Sequence, residues 1–150
     1  MKIISYRLNN ASSYGVLVNN ELYSLPENQS GLPATMNAFL ALEESGMEMA
    51  RQTAQQIEAG ALVANPVSNY EILAPVPHPT SCRDGYAFRQ HVEAARKNRG
   101  VEMIPEFDQY PIFYFTNHQA VEGPGPVYCM PDHFEQLDFE LEIAIVIGKK

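Results

Sequence analysis

Residues 137–148, Leu-Asp-Phe-Glu-Leu-Glu-Ile-Ala-Ile-Val-Ile-Gly, alternate in hydropathy with a period of two. Successive side chains of a strand point to opposite faces, so this run reads as a strand. Phe139, Leu141, Ile143, Ile145 and Ile147 fall on one face; Asp138, Glu140, Glu142, Ala144 and Val146 fall on the other. The second face begins with carboxylates and ends apolar, which predicts that it is buried or half-buried. Glu140 and Glu142 would then stand on one side with Cα atoms roughly 6.5–7 Å apart. Buried carboxylates need a partner, and no Lys or Arg occurs between Arg99 and Lys149. A bound cation is the simplest partner, and oxygen-only ligation suits Mg²⁺, Mn²⁺ or Ca²⁺ rather than zinc. The alternative is a solvent-facing acidic patch on an edge strand.

So apolar a strand wants neighbours on both sides. Ile147-Gly148-Lys149-Lys150 reads as its end and the opening of a turn. The expectation is that these 150 residues are part of a longer natural protein. Their composition is globular, with 45% hydrophobic residues, enough for a core. A net charge of −8 repels phosphate backbones and argues against nucleic acid as a partner. No run is long enough to span a bilayer, and MKIISYRLNN has no apolar signal-like stretch. Cys82 and Cys129 give neither a disulfide framework nor a zinc spacing, so a reduced cytoplasmic compartment is expected.

The first part of the chain reads as a small α/β module. Strands are predicted over 2–8 and 14–25, the second interrupted by the hairpin signal Asn19-Asn20. A polar turn runs from Asn9 to Ser13. Helices are predicted over about 34–44 and 46–59, the latter with a capping box from Ser45 to Glu48 and a C-cap at Gly60. A proline-stiffened connector spans 65–79, with a short strand at 70–74 inside it, and suggests a boundary near residue 70. The expected domains are thus 1–69 and 70–150. Beyond the connector a helix is predicted over 85–99, a loop over 105–111, and strands at 112–116 and 127–130, separated by a turn at 122–126.

Asp84 opens the predicted helix and could simply be its N-cap. His91 lies seven residues later, a rise of about 10 Å along a helix. The two could flank a substrate, although a lone helical histidine is commonly an ordinary surface or core residue. Arg96 and Arg99 suit the negative helix C-terminus.

Asp84-Gly85-Tyr86-Ala87-Phe88-Arg89-Gln90-His91, followed by Asp138-Phe139-Glu140-Leu141-Glu142-Ile143-Ala144, resembles the fumarylacetoacetate hydrolase family. That family carries Asp-x-Tyr-x-x-x-x-His, an aromatic strand, then Glu-x-Glu in a strand ending in Gly. The likeness runs from about residue 70 to 150; residues 1–65 resemble, more weakly, the small N-terminal domain of bacterial members. It implies an α+β fold, with the small module followed by the start of a mainly-β catalytic domain, a mixed sandwich or roll with a few helices. It also implies Asp84, Glu140 and Glu142 as ligands of Mg²⁺ or Mn²⁺ (Ca²⁺ as an option), His91 as acid/base residue, and Tyr86 and Tyr114 as substrate contacts. A further ligand Asp, a Lys and a Glu of the family pattern would lie beyond Lys150.

The implied reaction is hydrolysis of a carbon–carbon bond in a β-diketo acid, fumarylacetoacetate- or acylpyruvate-like, through an enolate, with His91 as general base on water. Relatives act instead as isomerases, hydratases or decarboxylases of 2-oxo and 2-hydroxy-dienoic acids in aromatic catabolism. A non-catalytic cation-binding module is the alternative of a different class. The resemblance implies a homodimer acting on a small oxo acid; the net charge and the lack of a spanning run argue against nucleic acid and membrane as partners.

Overall fold

The computed structural model describes residues 1–148. It is an α+β protein of two compact units. One comprises Met1–Pro77 and the segment from Glu122 onward; the other is His78–Val121.

In the first unit β1 (Lys2–Leu8), β2 (Ala11–Val18) and β3 (Glu21–Ser24) form an antiparallel meander. Both links are two-residue asparagine turns, Asn9-Asn10 with φ of 49° and 65° and Asn19-Asn20 with φ of 51° and 68°. Asparagine tolerates this left-handed conformation, and the paired positive φ values match the twist of the strands. The predicted polar turn is therefore confined to Asn9-Asn10, and β2 begins at Ala11.

Three helices cover the sheet: α1 (Leu25–Asn28), α2 (Met36–Leu40) and α3 (Glu43–Glu58). The core joins Tyr14, Val16 and Val18 of β2 to Leu25, Leu32, Phe39 and Ala50. The alternation of β2 thus delivers one face to the helices. The helix expected over 34–44 is shorter, because Thr35 caps α2 by accepting from the Ala38 N–H. Helix α3 starts ahead of Ser45, so no capping box forms: the Ser45 hydroxyl donates to the Leu42 carbonyl and Glu48 accepts from Arg51 and Gln52. Gly60, at φ 68°, closes α3 in the left-handed conformation as expected.

The short strand expected at 70–74 is β4 (Glu71–Ile72), which adds to β1 and gives the order β3-β2-β1-β4. Leu73 N–H donates to the Ser5 carbonyl, and the Ser5 hydroxyl donates to the Pro75 carbonyl. Gly123 returns against this edge. A Cβ there would stand 2.4 Å from the Ile72 carbonyl oxygen, so only glycine fits.

Residues 127–130 and 137–148 join no ladder among the described residues. The strong alternation of 137–148 therefore makes no paired strand here, and a single 3₁₀ stretch, Pro131–Gln136, precedes it. Phe139, Leu141, Ile143, Ile145 and Ile147 are 79–95% exposed. Alternation qualifies a segment for a sheet, but only a partner's N–H and C=O groups complete one. Lys149 and Lys150, expected to open a turn, lie outside the described residues.

In the second unit β5 (Arg83–Gly85) pairs antiparallel with β6 (Phe113–Phe115), and α4 (Arg89–Asn98) lies between them in sequence. The helix expected over 85–99 begins only at Arg89. The ladder claims Arg83–Gly85 and continues through Tyr86 N–H to the Ile112 carbonyl, and a tight Ala87-to-Gly85 hydrogen bond then turns the chain. Gly100, at φ 71°, follows the helix end. A 3₁₀ turn, Pro105–Asp108, lies within the predicted 105–111 loop. Among the described residues no helix is long and apolar enough to cross a membrane.

Candidate functional site

Register organises the site residues of the second unit. Asp84 stands directly opposite Tyr114, and Tyr86 follows Asp84 by two positions while still bonded to the strand at Ile112. Opposed residues and residues two apart share a face. Asp84, Tyr86 and Tyr114 therefore project from one side of the ladder. The Tyr86 and Tyr114 rings meet edge-on, with centroids 6.3 Å apart and planes at 71°. Asp84 and Tyr86 are half-buried, whereas Tyr114 is exposed.

Asp84 is thus a strand residue and not a helix N-cap; the cap position of α4 is Phe88. The 10 Å helical rise expected between Asp84 and His91 does not apply, since a turn separates strand from helix. His91 is the third residue of α4 and is exposed. Its neighbour Val92 is the buried anchor of that helix.

Arg83 occupies the opposite face of the ladder. Its guanidinium carbon lies 3.9 Å from the Phe115 ring centroid and 5.7 Å from that of Phe113. Arg96, in the last turn of α4, donates to the Glu102 carbonyl, in keeping with its reading as a helix-end cation.

Arg89 and Phe107 carry no motif, and the i,i+4 spacing of Arg89 and Glu93 is the one sequence signal at this place. Arg89 donates from Nε to Glu93 at 2.7 Å and from Nη1 to Asp108. The hydrogen bond to Glu93 and the charge of Asp108 hold the guanidinium pKa above its ordinary value. Phe107 lies edge-on to Tyr86, with centroids 6.4 Å apart.

In the first unit Glu140 and Glu142 are exposed, which corrects the expectation of a buried or half-buried carboxylate face. The burial expected of that face requires a covering layer, which the described residues do not supply. No ion pair among the described residues involves Asp84, Glu140 or Glu142. Carboxylate oxygens are donors of the kind that hard divalent ions take.

A family profile, the fumarylacetoacetate (FAA) hydrolase C-terminal domain, matches residues 80–150. That interval contains all six candidate residues. A mitochondrial oxaloacetate tautomerase of Homo sapiens is 31% identical over 121 residues, covering 79% of this chain and 34% of its own length. A rat mitochondrial oxaloacetate tautomerase is 30% identical with the same coverage. A fumarylacetoacetate hydrolase domain-containing protein 2 homolog of Dictyostelium discoideum is 24% identical over 156 residues, covering the whole of this chain and 47% of its own length. The chain thus spans about a third to a half of the curated relatives it matches. Members of the family are divalent-metal-dependent enzymes. With its motifs in the family's order and spacing, and with these relatives, the chain belongs to the fumarylacetoacetate hydrolase family.

Proposed function

We propose that this chain carries part of the active site of a divalent-metal-dependent enzyme that acts on a small 2-oxo acid through its enol or enolate. The observation that carries the reading is the shared face of Asp84, Tyr86 and Tyr114, where one carboxylate sits beside two phenols. Asp84, Glu140 and Glu142 would hold Mg²⁺ or Mn²⁺, an assignment supported by the family motif and by the all-oxygen donor set. A bound divalent cation supplies Lewis-acid stabilisation of negative charge on the oxygens of the oxo acid. Tyr86 and Tyr114 donate hydrogen bonds to the substrate carboxylate and orient it.

Interconversion of keto and enol forms of an oxo acid, as in oxaloacetate tautomerases, is favoured by the human and rat relatives. It requires loss of a proton from the enol hydroxyl and gain of one at the adjacent carbon. His91 would carry the proton, because imidazole can both accept and donate near neutral pH. Hydrolysis of a β-diketo acid is the second reading, favoured by His91 at the motif position of the family's acid/base histidine. There His91 takes a proton from water, whose oxygen attacks the carbonyl next to the breaking carbon–carbon bond. The electron pair of that bond remains on the departing enolate. The homodimer implied by the family resemblance and the cytoplasmic compartment expected from the two cysteines belong to this reading, although the human and rat relatives are mitochondrial.

The deciding experiment gives the full-length natural protein enol-oxaloacetate and acylpyruvate separately, with Mn²⁺ and after chelation. Loss of the enol absorbance supports tautomerisation, and pyruvate release supports hydrolysis. If neither substrate reacts with metal present, the reading is wrong. A Mn²⁺ titration followed by electron paramagnetic resonance tests the ligands without turnover. Glu140→Gln should weaken binding by at least the ~10–100-fold that loss of an outer-shell partner costs; unchanged affinity removes Glu140 from the ligand set.

A further inference from the structure

We propose that Arg89 is a positioning residue that sets the Tyr86 and Tyr114 rings, an inference that rests on the proposed role of those rings in substrate binding. Arg89 is the first residue of α4. Its guanidinium is engaged on three sides: Glu93 one turn along the helix, Asp108 in the 3₁₀ turn, and the Phe107 ring, whose centroid lies 5.7 Å from Cζ. Exposed ion pairs taken singly hold little. A planar guanidinium shared by two carboxylates and an aromatic face is a different case, because its fork geometry leaves few rotamers that satisfy all three. The Pro105–Asp108 turn is thereby tied to the start of α4.

The tie continues through rings. Phe107 lies edge-on to Tyr86 with planes at 84°, and Tyr86 lies edge-on to Tyr114. Neither the Tyr86 nor the Tyr114 hydroxyl has a protein hydrogen-bond partner among the described residues, in contrast to Tyr14 and Tyr23. With no such partner among the described residues, ring packing orients the two phenols, and their O–H groups stay available to a ligand. Asp108, Arg89, Phe107, Tyr86 and Tyr114 form one series from helix start to ladder face, all within the His78–Val121 unit.

The test labels the full-length protein with 3-fluorotyrosine and assigns the Tyr86 and Tyr114 fluorine lines by single Tyr→Phe changes. Arg89→Ala and Arg89→Lys are then compared with wild type by fluorine NMR and by steady-state kinetics on oxaloacetate. Both lines should move in both variants, since lysine keeps the charge but loses the fork and the stacking plane. KM should rise about fivefold while kcat stays within about twofold, the pattern of lost binding and not lost chemistry. A purely structural role would lower stability without that split. Should Arg89→Ala not fold, Arg89→Lys and Phe107→Leu carry the same comparison. Unmoved fluorine lines overturn the proposal, and so do moved lines with an unchanged KM. If wild type turns over no oxo acid, the proposed function fails, while the fluorine lines still decide whether Arg89 sets the rings.

Discussion

Tyr14 offers the sharpest quantitative prediction in the fold. Its side chain is 0% exposed, its ring lies 4.9 Å from that of Phe39, and its hydroxyl donates to the Pro33 carbonyl at 2.8 Å. Burial disfavours the phenolate and pushes the pKa from 10.0 to about 12. Between those values the unfolded chain has lost the proton and the folded chain keeps it, so the unfolded state binds fewer protons and stability falls as pH rises. This contribution is fully present below about pH 10 and is lost as pH rises through about 12. For a shift of two units the loss is about 1.4 kcal/mol by pH 11 and about 2.3 kcal/mol by pH 12. Tyr14→Phe abolishes the titration and removes one hydrogen bond, at a cost of about 1 kcal/mol near neutral pH. Wild type should therefore be the more stable protein at about pH 8, and the variant should overtake it near pH 11. Urea unfolding of both proteins across this range measures the difference, and the remaining tyrosines titrate equally in both and cancel. A difference that stays constant from neutral to strongly alkaline pH would falsify the assignment of a buried, hydrogen-bonded phenol.

Gly123→Ala should destabilise the first unit by about 1–3 kcal/mol, because the added methyl meets the Ile72 carbonyl and the Leu73 backbone and nothing flexible can give way. Amide exchange at Leu73, whose N–H bonds Ser5, would accelerate; unchanged protection there argues against this close approach. His91→Ala should lower kcat by about 10²–10⁴ while leaving Mn²⁺ affinity intact, since His91 is exposed on α4 and is assigned to proton transfer and not to ligation. Equal loss of metal binding in that variant would place His91 among the ligands instead.

Local chemistry was the legible part of this chain. The Asn19-Asn20 turn and the Gly60 helix end need only the backbone preferences of the residues themselves, and both stand as the sequence predicts. The two largest departures, at 85–88 and 137–148, turn on a distant partner, whereas the strands expected at 70–74 and 112–116 did find theirs in β1 and β5. Residues 85–88 continue the apolar stripe of α4 and look helical in isolation. Gly85 and Tyr86 are nevertheless held by Phe113 and Ile112, nearly thirty residues away. Residues 137–148 err the other way, with the strongest strand pattern in the chain and no ladder among the described residues. The placement of Asp84 in β5 also determines which side chains share its face. Read as a helix start, Asp84 and Tyr86 would diverge by about 200° around the axis, since each helical residue turns by about 100°. Read as a strand, they point the same way, and the antiparallel register adds Tyr114 from the facing strand. The spacing Asp-x-Tyr is therefore intelligible only in a ladder, where a period of two puts a carboxylate and a phenol on one face.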